Sequence, residues 1–315
     1  MSTTPTALLD RSKRREYWLG FFLAAMGAVL FSAKSIPVKL TYQYGVDALT
    51  VIGFRMMFAL PVYLMVAVYY LVLARQGKVA GLTWRDAGRV VLLGFIGYYL
   101  SSYLNFLGLQ YISAGLERLI LFLSPTFVLF MSAFWLKRKI TGLQWTALVI
   151  SYFGVILVFV QDMAFNGHDV LLGSAFVFAA AFTSALYLVG SGEVVSKVGA
   201  TRLAAYAMTV SSVITMIHFF CVHGVQGLEQ VTPVYQLSLI HAVLNTVFPT
   251  FMIMWAVARI GAPMTSQLGL LGPVSVLFLA AWILGEPITS LQLAGTVFVL
   301  SGMVVLGRSR ARQAG

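Results

Sequence analysis

The segment Ile112–Phe159 recurs without a gap as Ile260–Gly307, at an offset of about 148 residues. Pro125 aligns with Pro273, Thr141 with Thr289, Gln144 with Gln292 and Gly154 with Gly302. Each copy holds two long apolar runs around a short polar hinge. Such a unit, built twice, leaves little freedom in the choice of solvent. The chain is 60% hydrophobic and 10% charged, against about 25% charged in a soluble domain. Its polar side chains are too few to cover a water-soluble globule of 315 residues. Lipid must therefore face most of its outside.

Ten apolar runs are long enough to span a bilayer: Tyr17–Thr41, Leu49–Leu73, Gly88–Leu109, Ala114–Leu136, Gln144–Val160, Leu171–Val189, Leu203–Val222, Gln236–Val257, Ala262–Leu284 and Leu291–Leu306. Backbone groups in lipid need internal hydrogen bonds, so each run is predicted to be a helix. The first run has no small-residue cleavage site after it and reads as a retained helix. The expected class is an all-α integral membrane protein of ten helices, arranged as two inverted five-helix repeats. The expected divisions are a tail at 1–16, repeats at 17–160 and 171–307, and a tail at 308–315.

The net charge of +11 would suggest nucleic acid in a soluble protein, but its distribution points to topology and no nucleic-acid partner. Seventeen of the 21 Lys and Arg residues fall in alternate links and at the two ends, including Arg75, Lys78, Arg85, Arg89, Lys137, Arg138, Lys139, Lys197, Arg202 and Arg259. The opposite links, near Gly45, Tyr111, Gly167, Gly227 and Pro287, hold none. Positive residues stay on the cytoplasmic side, so both termini are expected there. An odd number of helices per repeat inverts the second copy. That explains why the hinge Lys137-Arg138-Lys139 is basic and its mate Gly285-Glu286-Pro287 is not.

The ten runs, the inverted repeat and the Leu284–Pro287 hinge before a Gly-containing last run together resemble the EamA-type branch of the drug/metabolite transporter superfamily, over about Trp18–Leu306. The resemblance implies a multi-pass carrier of small metabolites in the bacterial inner membrane, often an exporter. It also implies a central cavity lined by helices one to four and six to nine. Many relatives carry an acidic hinge in both halves; the basic first hinge departs from that pattern and is attributed to topology.

Apart from Arg89 at the very edge of the third run, four cations remain inside spans: Lys34, Lys39, Arg55 and Arg118, with Glu117 as the one carboxylate placed there. Charges at the bilayer centre cost roughly 2.5–3.5 kcal/mol on insertion, so they usually face a cavity or a partner. Lys34 and Arg55 lie about 9–10 Å below the outer boundary at 1.5 Å per residue. They suggest a positive cavity suited to a carboxylate, sulfonate or phosphate. Lys39, Glu117 and Arg118 lie closer to the boundary and either line that cavity or snorkel outward. Glu117 either carries a coupling proton or neutralises a cation. Tyr99 is the aromatic candidate for stacking on a substrate. Gln267 is a candidate for the far wall, nearer the cytoplasm, and Asn105 and Asn245 are weaker polar candidates. Pro37, Pro125 and Pro273 each remove a helical hydrogen bond. They act either as hinges or as static kinks, and each freed carbonyl is expected to need a partner from another helix, water or substrate. His168, His223 and His241 read as interfacial polar residues.

No zinc spacing, phosphate-binding loop or catalytic cluster is evident; neither a cofactor nor a metal is expected, and no enzyme activity. The leading reading is a secondary carrier of a small metabolite, with proton or exchange coupling. The competing reading is a lipid flippase or an intramembrane enzyme. The sequence leaves oligomeric state open.

Overall fold

The computed structural model describes residues 5–136 and 140–314, which form helices and short links and contain no strand. Ten helices in that range are long and apolar enough to cross a bilayer: α1 (Arg14–Tyr42), α2 (Ala48–Arg75), α3 (Trp84–Leu109), α4 (Ala114–Met131), α5 (Gly142–Phe165), α6 (Asp169–Gly192), α7 (Ala200–His223), α8 (Thr232–Gly261), α9 (Met264–Leu284) and α10 (Ser290–Gly307). They match the ten apolar runs in number and order. Helical structure also extends back from α1 to Pro5 and on from α10 to Ala314. The basic hinge Lys137–Lys139 lies outside the described residues. Its mate turns through Gly285 at φ +70°, a left-handed conformation that glycine adopts without a Cβ penalty.

Helix pairing displays the repeat. The most extensive packing joins α5 to α10, α1 to α8, α2 to α7 and α3 to α6. Exchanging the two halves maps α5–α10 and α2–α7 onto themselves and swaps α1–α8 with α3–α6, as a twofold relation requires. Small residues make the tightest contact. A Cβ on Gly154 would meet the Gly295 carbonyl oxygen at 2.5 Å, and one on Gly302 would meet the Ala147 carbonyl oxygen at 2.7 Å. Those two contacts are each other's equivalents under the repeat.

Three spans are broken. Helical structure stops at Ser32 and restarts at Ser35 in α1, stops at Leu121 and restarts at Ser124 in α4, and stops at Leu268 and restarts at Leu271 in α9. Each break lies just ahead of a proline: Pro37, Pro125 or Pro273. The carbonyls these prolines leave free find partners in their own chain segment, contrary to the expectation of a partner from elsewhere. Ile36 N–H donates to Ala33 at 3.0 Å, Ser124 Oγ to Leu121 at 2.7 Å and Gly272 N–H to Gly269 at 3.0 Å. A tight turn thus replaces a turn of α-helix. Further irregularities are π-helical segments at Gly94–Leu100 in α3, Val243–Val247 in α8 and Ala280–Leu284 in α9, the first two at matching repeat positions. The second supplies Asn245, whose Nδ2 donates to the Leu30 carbonyl at 2.6 Å beside the α1 break.

Candidate functional site

The α1 break places Lys34 at the start of a short half-helix, Ser35–Tyr42. Its Nζ lies 4.0 Å from Glu117 Oε1. Glu117 sits in the first turn of α4, which is capped by Ser113 Oγ accepting from Leu116 N–H at 3.1 Å. The next residue, Arg118, donates from Nη2 to Ser32 Oγ at 2.6 Å, on the other side of the α1 break. Its guanidinium packs 5.9 Å from the Phe31 ring centre and 5.3 Å from that of Phe122. Arg55, from α2, donates to Ser102 Oγ on α3 at 3.2 Å and lies over the Phe106 ring at 5.2 Å. Lys34, Glu117 and Arg118 therefore form one cluster at the α1 break, and Arg55 lies on α3 residues that pack against the same half-helix, Tyr42 donating to the Phe106 carbonyl at 2.7 Å, so that three cations and one carboxylate share this region.

Three of these four residues are buried, and the Lys34 side chain is 15% exposed. Glu117 is 0%, Arg55 5% and Arg118 7% exposed, so neither Glu117 nor Arg118 snorkels to the surface of the protein. Several polar atoms in this region have no hydrogen-bond partner among the described residues: both Glu117 oxygens, Nε of Arg55 and of Arg118, both side-chain atoms of Asn105, both ring nitrogens of His241, and the Ser35 and Ser238 hydroxyls. Buried polar groups are normally paired, so a concentration of unpaired ones marks a place built to meet something polar. His241 corrects the sequence reading. It is 1% exposed rather than interfacial, and its ring is 5.5 Å from that of Phe106, which also carries the Arg55 guanidinium.

Lys39 lies outside this group. Its Nζ is 3.6 Å from Glu286 Oε1 in the α9–α10 hinge. The Glu286 carboxylate also accepts from Ala114 N–H at 3.0 and 3.2 Å, which places a negative charge on the N-terminus of α4. Ser113 N–H donates to Asp162 at 2.9 Å, and Thr289 bonds Gln161. Asp162 is a buried carboxylate within α5 that the sequence reading missed, because the apolar run was ended at Val160. Arg202 was read as a link residue and is instead buried. It donates to the Ala80 carbonyl at 2.6 Å and so ties the start of α7 to the α2–α3 link.

Tyr99 is not brought to the cluster. Its hydroxyl bonds His218 Nδ1 on α7 at 2.8 Å, and its ring stacks between Phe95 and Tyr103. Its neighbour Tyr98 packs on the central core instead and meets the Tyr187 hydroxyl at 3.3 Å. Gln267 lines a cavity of about 620 Å³ between α4, α9 and α10, together with Phe122, Pro125 and Leu270. Phe122 is shared: it borders the cavity, and its ring carries the Arg118 guanidinium.

The sequence matches the EamA-like transporter family twice, over residues 18–160 and 171–308. It is 30% identical to the uncharacterized transporter YcbK of Bacillus subtilis (strain 168), over 93% of this chain and 95% of that protein. It is 28% identical to a probable amino-acid metabolite efflux pump of Escherichia coli (strain K12), over 61% of this chain and 67% of that one. A solved crystal structure has the same fold, with a TM-score of 0.61 at 15% identity, covering 96% of this chain and 99% of the other.

Proposed function

The chain belongs to the EamA-like transporter family, and from that premise we propose that it is a secondary carrier exporting a small metabolite with an anionic group such as a carboxylate. It works by alternating access in the bacterial cytoplasmic membrane, with both termini in the cytoplasm. The observation that carries this reading is the charge imbalance around the α1 break, where Lys34 and Arg118 share Glu117 and the buried Arg55 has no carboxylate within ion-pair distance among the described residues. Intramembrane charges without partners are costly, and an anion entering the cluster supplies the missing negative charge. The two arginines suit this task because a guanidinium can grip a carboxylate or phosphate with two parallel donors. Asn105, His241, Ser35 and Ser238 add unpaired polar atoms able to orient the rest of the molecule.

The broken helices provide the moving parts. Lys34 and Ser32 flank one break and Arg118 lies one turn ahead of another, so rocking of the half-helices changes which side the cations face. Glu117 is the group positioned to exchange a proton with the cycle or to hold Lys34 in its absence. Export is supported by the efflux pump among the relatives, and the orientation by the distribution of Lys and Arg. The test compares metabolites released by cells overproducing the protein with those released by cells lacking it. Selective accumulation of anionic metabolites outside the overproducing cells is expected. Release of only neutral or cationic compounds would overturn the reading.

A further inference from the structure

The charged cluster and the cavity near Gln267 are neighbours, and their chemistry is opposite. Phe122 is common to both: it borders the cavity, and the Arg118 guanidinium lies 5.3 Å from its ring centre. The second boundary is the α9 break. Gly269 and Leu270 border the cavity, and a Cβ on Gly272 would lie 3.1 Å from Arg118 Nη2. The guanidinium therefore rests against the backbone that also forms the cavity wall. On the cavity side, Leu121, Phe122, Pro125, Met303, Val304 and Leu306 present apolar surface. A volume of about 620 Å³ is in the range of pockets that enclose drug-sized molecules. It far exceeds what a lone carboxylate or phosphate needs.

We infer that the cavity and the cluster are two parts of one substrate site, and that the substrate is an amphipathic anion: an anionic head held by Arg118 and Lys34, and an apolar body of ring size or larger in the cavity. The inference rests on the proposed anion transport and adds the substrate class. Phe122 is the hinge between the two parts. Its ring offers one face to the cation and its edge to the apolar body. Gln267 and Ser266 supply polar atoms at the cavity rim for a substituent on that body. Small hydrophilic anions satisfy the cations but leave the apolar walls unused, so they bind more weakly.

Permanently charged sulfonates test this without the complication of weak acids crossing the bilayer unaided. Binding of methanesulfonate, benzenesulfonate and naphthalenesulfonate to the purified full-length protein in detergent is measured by calorimetry, with naphthalene methanol as the uncharged control. Affinity is expected to rise with body size, by about tenfold or more from methanesulfonate to naphthalenesulfonate, as burial of ring carbons requires. Val304→Trp fills the cavity from α10 and is expected to bring naphthalenesulfonate down to the level of methanesulfonate. Arg118→Gln is expected to weaken every sulfonate. Equal affinity for all three sulfonates in the unmodified protein overturns this inference and leaves the proposed anion transport standing. Equal affinity for naphthalene methanol and naphthalenesulfonate overturns the anion reading, and this inference with it.

Discussion

At the residue scale, charge is the most legible signal in a membrane chain, because each buried ion needs a reason. Arg55 is held by Ser102 and Phe106 and has no carboxylate within ion-pair distance among the described residues. Arg55→Ala is expected to abolish transport in proteoliposomes while the protein still inserts and elutes as a folded species. Such a truncation costs about 2–5 kcal/mol of binding when a charge-assisted contact is lost. Arg55→Lys should restore little, because an ammonium cannot reproduce the planar fork. Glu117→Gln separates the two roles of that carboxylate. If the carboxylate carries a coupling proton, driven transport stops and substrate exchange persists; if it only holds Lys34, the thermal midpoint falls and coupling is retained. Lys34, Arg55, Glu117 and Arg118 were legible in the sequence because they interrupt apolar runs. His241 and Asn105 were harder to see, since polar uncharged groups near a helix end look the same whether they face water or the interior. Which neighbours the adjacent Tyr98 and Tyr99 meet, Tyr187 and His218 respectively, is not legible from a local pattern. The choice depends on helix phase, and the π-helical segment Gly94–Leu100 adds backbone per turn and rotates the face away from a 3.6-residue period.

At the element scale, the ten spans, their order and the positions of the three critical prolines can be read from the sequence, because apolar length and proline are both local properties. The breaks themselves involve more than proline. Asn245 reaches from α8 to the Leu30 carbonyl, a contact between residues far apart in sequence that no local pattern announces. The hinge carboxylate Glu286 is similar: it looked like a family signature, and it serves as the N-terminal partner of α4 and of Lys39. Glu286→Ala is expected to lower stability by about 1–3 kcal/mol by leaving the Ala114 N–H without its acceptor. Glu286→Gln keeps an acceptor and should cost less. Thermal unfolding in detergent checks both. Equal midpoints for Glu286→Ala and the unmodified protein would remove the capping role.

At the scale of the whole molecule, the repeat sets the pairing of helices, and the distribution of Lys and Arg sets the proposed orientation. The same end of the bundle carries the Lys197–Asp86 contact at 3.2 Å and the Arg259–Glu16 contact at 2.9 Å, while the other carries Lys39–Glu286 and His223–Asp47. Tags inserted near His168 and Gly227 are expected to label from outside intact cells, and a C-terminal tag is not. External labelling of the C-terminal tag would reverse the orientation. The central claim is that an anion crosses the membrane through the buried cluster, and the most direct measurement compares extracellular metabolites from cells producing the unmodified protein with those from cells producing Lys34→Ala/Arg55→Ala at equal membrane levels. Anionic metabolites should accumulate outside only with the unmodified protein; equal accumulation with the double variant would contradict the claim.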